Sequence, residues 1–143
     1  KPMTYMNLSG RAVVRICMEN GIKPGSVLVA HDEMDLPFGR LKAKLGGGDA
    51  GHNGLKSLVA ELGTERFLRL RIGVGRPPQG MQVTDWVLSP FTPDEAEALP
   101  EVMAAARDSL PLFFGKGLAA AQQALHVFSA VPEPGESATE SDT

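Results

Sequence analysis

Arg40-Leu41-Lys42-Ala43-Lys44-Leu45-Gly46-Gly47-Gly48-Asp49-Ala50-Gly51-His52-Asn53-Gly54-Leu55 decides the fold. Residues 40–45 alternate polar and apolar, the period of a half-exposed strand. Gly46 to Gly54 then crowds five glycines around a histidine and an asparagine. Beyond it, Leu55, Leu58, Val59 and Leu62 recur at i, i+3, i+4 and i+7, which predicts an amphipathic helix closed by Gly63. Glycine accepts dihedrals closed to other residues, so such a loop can bring its backbone close to a ligand. It also delivers polar side chains and N–H groups to a helix N-terminus, where an anion or a polarised carbonyl can dock.

The same alternation continues outward. Residues 8–20 place Leu8, Ala12, Val13, Ile16 and Cys17 on one helical face, with Gly21 as C-cap. Residues 26–30 form a short apolar run that suits a fully buried strand, ending in His31-Asp32-Glu33-Met34-Asp35. Residues 67–74 predict another strand and residues 82–88, with Trp86, a further one. Thr92-Pro93-Asp94-Glu95 has the cap, proline and acids of a helix start. Pro100 is expected to split the helical region that follows, Pro111 to bend it, and residues 117–128 to form the last helix. Strands alternating with helices define an α/β chain, expected as a three-layer α/β/α arrangement on a twisted, mixed central sheet. The domain is expected over residues 1–128, with 129–143 a disordered acidic tail rich in Pro, Glu, Ser and Thr.

The formal net charge of -3 conceals a division. The tail carries four acids and no base, whereas residues 40–76 hold eight basic residues against three acidic ones. A local excess of that kind attracts phosphate; a solvated face is the alternative. No apolar run approaches the roughly 18 residues of a membrane span, and no leader is visible. The single cysteine, Cys17, fits a core thiol in a reducing compartment, hence a cytoplasmic protein.

Ligands of α/β sheets gather at strand ends, and three polar groups are expected there: Asn7, the His31-Asp32 pair and the glycine loop. Asp32 is a candidate to orient a histidine, or a turn residue before Pro37. His52 can serve as base, clamp or plain loop residue. Asn53 can cap the helix, touch a ligand, or both. His31, Asp32, Glu33 and Asp35 match no strong metal-ligand spacing, and no metal is expected. There is no nucleophile elbow, Walker A loop or dinucleotide fingerprint.

Together these segments resemble bacterial peptidyl-tRNA hydrolase. The resemblance runs in order through residues 1–10, 31–37, 46–55 and 67–77, and the helical region to Phe128 also fits. It implies cleavage of the ester joining a peptide to the terminal ribose of tRNA. By the same resemblance Asn7 contacts substrate and positions the attacking water, and Asp32 orients the catalytic histidine. His52 lines the peptide channel and Asn53 binds near the ester. Lys44 and Arg71 contact phosphates of the tRNA acceptor end. The family implies no cofactor, no metal and a monomer. Its histidine lies in a Thr-Arg-His-Asn-like motif after a glycine-rich first strand, and neither motif is found in these 143 residues. The chain is therefore expected to start roughly sixty residues into the family pattern, within the ~100–200-residue size of one domain, without the first strands and helix, and to be inactive alone. Ala50 stands where the family usually has glycine. The alternative is a non-enzymatic RNA-binding module like the splicing cofactors related to the family.

Overall fold

The computed structural model describes residues 9–49 and 51–128. Asn7, Ala50 and the tail 129–143 lie outside the described residues. The elements are α1 (Ser9–Asn20), β1 (Leu28–Glu33), β2 (Leu41–Leu45), α2 (Asn53–Leu62), β3 (Leu68–Gly73), α3 (Val83–Val87), α4 (Pro93–Gly115) and α5 (Leu118–His126), with a 3₁₀ turn over Pro24–Ser26.

The three strands form one sheet in the order β1-β3-β2. Leu68 N–H donates to Val27 O and Val74 N–H to Glu33 O, so β1 and β3 advance together and are parallel. Gly46 N–H donates to Phe67 O and Gly73 N–H to Arg40 O, so β2 runs antiparallel to β3. The sheet is mixed and the fold is α/β, as expected.

The chain divides into two compact units. The first comprises Lys1–Val29 and Lys44–Arg69. Within it α1 packs on α2. Gly10 makes that contact possible: its N–H donates to Ser57 Oγ at 2.8 Å, and an added Cβ would lie 2.2 Å from Ser57 O. Leu55, Leu58 and Phe67 are buried there against Val13, Val27, Val29, Val59 and Leu62. Cys17 is buried, as expected, but Ile16 is exposed. The inward stripe of α1 is Gly10, Val13 and Cys17, at i, i+3 and i+7, too narrow to include position 16.

The second unit comprises Ala30–Ala43 and Leu70–Thr143. In it α4 packs on α5, and Gln122 Nε2 donates to Ala43 O at 3.1 Å, tying α5 to β2. Leu41, Leu70, Val102, Ala106, Phe113, Ala121 and Leu125 are buried in this unit.

Four expectations are corrected. β1 is only partly buried and continues through His31, Asp32 and Glu33, because Val74 extends the ladder to Glu33. Residues 83–87 are helical, not a strand: Trp86 N–H bonds locally to Gln82 O, and the indole Nε1 donates to Gly75 O at 2.8 Å. Pro100 does not split the region: the chain passes through it, and through Pro111 without a break, as one helix of 23 residues. Its Thr92–Glu95 capping box closes the start, and Val102, Ala106, Ser109 and Phe113 bury one face at i, i+4, i+7 and i+11. Packing of that face outweighs the roughly 3 kcal/mol an interior proline costs. The helix ends instead at Lys116-Gly117, where Gly117 takes φ 95, so the last helix spans Leu118–His126 rather than 117–128.

Candidate functional site

In the first unit the site is the loop between β2 and α2. The ladder ends at Gly46, and Gly46, Gly47 and Gly51 all take positive φ (75°, 110° and 82°). Side-chain branching would be strained at each, which explains the glycine-rich composition. Asp49 turns the chain: its Oδ1 accepts from Gly51 N–H at 2.9 Å and its carbonyl from His52 N–H at 2.8 Å.

His52, not Asn53, is the N-cap of α2. Its backbone is extended, and its Nδ1 accepts from Leu55 N–H at 3.2 Å. Asn53 is the first helical residue and is exposed. Histidine is outside the preferred cap set of Ser, Thr, Asp and Asn, so propensity pointed one residue too far. Its Nδ1, bonded to Cγ, occupies the place of an asparagine Oδ1 and serves equally as acceptor. Accepting at Nδ1 puts the proton of the neutral ring on Nε2. The ring is then a hydrogen-bond donor at that atom.

Beneath the loop lies a residue the sequence reading counted only as basic charge. Arg69 is 1% exposed. Its Nη1 donates to Gly48 O at 2.5 Å, and its Nη2 to Gly47 O at 2.7 Å and Glu65 O at 3.4 Å. The guanidinium carbon stands 4.6 Å from the centre of the Phe67 ring. The available signal was strand alternation, which puts Arg69 on the same face as the fully buried Phe67. Lys44, near the end of β2, stays close to this loop: a Cβ added at Gly47 would lie 2.6 Å from its Nζ.

In the second unit Asp32 sits in β1, half-buried, between His31 and Glu33. His31 is buried, and its Nδ1 donates to Asp32 O at 2.8 Å. Glu33 Oε1 accepts from Arg71 Nε at 3.0 Å, with side chains 12% and 19% exposed. Asp35 pairs with Arg76. The basic excess over residues 40–76 is thus smaller in the fold than in the sequence. Arg69 faces carbonyls, and Arg71 and Arg76 take carboxylates from the acidic run 33–35. Among the described residues no three His, Cys, Asp or Glu side chains gather as a metal site, and no helix is long and apolar enough to cross a membrane.

A mixed three-stranded sheet with helices, its β2 joined to α2 by a clamped glycine loop, defines an α/β protein. The family model described as Peptidyl-tRNA hydrolase matches residues 1–133. The peptidyl-tRNA hydrolase of Solidesulfovibrio magneticus is 50% identical over 134 residues, 94% of this chain and 63% of that protein. That of Paenarthrobacter aurescens is 47% identical over 126 residues, 88% of this chain and 65% of that protein. The crystal structure of peptidyl-tRNA hydrolase from Acinetobacter baumannii superposes with a TM-score of 0.80 at 34% identity, covering 91% of this chain and 66% of that one. The chain belongs to the peptidyl-tRNA hydrolase family. It spans a little under two thirds of the length of these relatives. The family match begins at residue 1 and lends no support to a start some sixty residues into the pattern.

Proposed function

We propose that this chain takes part in hydrolysing the ester that joins a peptide to the terminal ribose of tRNA. The observation that carries this reading is the family match over residues 1–133, which includes the clamped loop bearing His52 and Asn53. In the reaction, water adds to the ester carbonyl carbon while a base takes its proton. The acyl carbon–oxygen bond then breaks, and the ribose oxygen leaves with a proton.

In this reading Asp32 orients the histidine that acts as base, and Asn7 positions the water. Asn53 holds the ester region, and His52 lines the peptide path with Nε2–H as its donor. Lys44 and Arg71 meet phosphates of the acceptor end. The protein acts as a cytoplasmic monomer and needs no metal or cofactor. The Thr-Arg-His-Asn-like motif that would supply the base is not found in these 143 residues. A general base contributes about 10²–10⁴-fold in rate, so the 143-residue chain by itself cleaves peptidyl-tRNA at least that much more slowly than a chain bearing the motif.

The test uses N-acetyl-aminoacyl-tRNA and a non-hydrolysable amide analogue. The chain should bind the analogue in preference to an unrelated RNA. Joining it to a segment with the histidine motif should raise the cleavage rate, and Asp32→Asn in that longer protein should lower the rate without weakening tRNA binding. A rate indifferent to both changes, with binding intact, would overturn the esterase reading in favour of an RNA-binding module.

A further inference from the structure

We propose that Arg69 is a positioning residue that fixes the peptide planes of Gly47 and Gly48, and through them the approach of the chain to α2 at His52 and Asn53. The inference rests on the substrate role proposed for those two residues.

The glycine loop has many conformations open to it. Three of its residues take positive φ, and glycine loses more backbone freedom on ordering than any other residue. Something has to select one conformation. Arg69 forks across two successive carbonyls of the loop, Gly48 O at 2.5 Å and Gly47 O at 2.7 Å. Bonds from an ionised donor are short and strong, and the planar fork sets direction as well as distance.

An apolar side chain of similar volume would fill the space beside Phe67 with no charge to desolvate. Holding two consecutive peptide planes at once is what the guanidinium adds. There are no cis peptides among the described residues. With both carbonyls turned to Arg69, the N–H groups of Gly48 and Asp49 therefore point away from it. The next residue, Asp49, opens a second set of bonds. Asp49 accepts from Gly51 and His52, and His52 caps α2 at Leu55. Lys56 N–H donates back to His52 O at 2.9 Å. Arg69 thus holds the peptide next to the Asp49 turn, and that turn leads to the cap bond that orients the His52 ring.

The test compares the 143-residue chain with Arg69→Met, which keeps the volume, and Arg69→Lys, which keeps the charge but not the fork. Amide exchange is followed by NMR at Gly51 and His52, whose N–H groups bond to Asp49, with Leu58 inside α2 as the internal reference. Arg69→Met should speed exchange in the loop about tenfold or more while Leu58 changes far less. It should also weaken the amide-linked peptidyl-tRNA analogue about tenfold and leave deacylated tRNA within about twofold, since misplaced contacts act on the ester end. Arg69→Lys should show the same pattern at smaller amplitude, and it decides the matter should the methionine variant not fold. Unchanged loop exchange would overturn the proposal. So would uniform loosening of loop and helix with equal loss of both RNA ligands, which is the mark of a purely structural arginine. A parent chain that binds neither RNA would sink the proposed function instead, and the exchange data would still decide whether Arg69 holds the loop.

Discussion

The backbone N–H of Leu55 donates to Nδ1 of His52 at 3.2 Å, so a residue proposed to line the peptide path also starts the helix behind it. Structure and function at this position can be separated. His52→Asn keeps an acceptor at the same place, and its unfolding free energy should stay within a few tenths of a kcal/mol of the parent. His52→Ala removes the acceptor and should lose about 1 kcal/mol. Urea denaturation of the three proteins checks this; equal stability for all three would mean the cap bond contributes nothing.

Gly10 lets α1 approach α2. A methyl group there would lie 2.2 Å from Ser57 O, a backbone atom that cannot swing aside. Gly10→Ala should therefore push the helices apart and destabilise the first unit by about 1–3 kcal/mol, the usual cost of overpacking. The gain in helix propensity from alanine, about 1 kcal/mol, acts in the opposite direction. A variant more stable than the parent in thermal unfolding would show that the helices have room to spare.

Pro100 sits inside α4 and withholds one N–H from the helix ladder. Pro100→Ala restores a donor in an exposed position and should stabilise the protein by about 1–3 kcal/mol, part of the ~3 kcal/mol penalty of an interior proline. The check is the denaturant midpoint at unchanged slope. No gain would mean the local backbone had already relaxed around the ring.

What could be read in advance was local. The alternation of residues 40–45 and the i, i+3, i+4, i+7 spacing of Leu55, Leu58, Val59 and Leu62 describe β2 (Leu41–Leu45) and α2 closely. Thr92 to Glu95 encode their own cap within four residues. The errors lie where distant partners decide. Pro100 looks like a break until Val102, Ala106 and Phe113 find a buried surface. Arg69 looks like surface charge, yet its acceptors are 21 and 22 residues away in sequence. Glu33 and Arg71 stand 38 residues apart, and no local pattern pairs them.

That last pair bears directly on the proposed RNA contact of Arg71. Arg71 is proposed to meet a phosphate, but its Nε already donates to Glu33 at 3.0 Å, with both side chains mostly buried. Exposed pairs contribute about 0–1 kcal/mol, whereas breaking a fully buried one costs about 3–5 kcal/mol. At 12% and 19% exposure, Glu33→Gln should cost about 1–3 kcal/mol. In a double-mutant cycle with Arg71→Met most of that loss should disappear, because the stranded charge goes too. Lys44, proposed for the same phosphate role, serves as the comparison. Each cation that neutralises one phosphate adds about 0.7–0.9 to the slope of log K against log salt. Lys44→Met should lower the tRNA slope by about that amount. Arg71→Met should do the same only if its remaining guanidinium nitrogens reach RNA while Nε stays on Glu33. A slope unchanged by Arg71→Met, beside a reduced slope for Lys44→Met, would assign Arg71 to the fold alone and leave Lys44 as the phosphate contact.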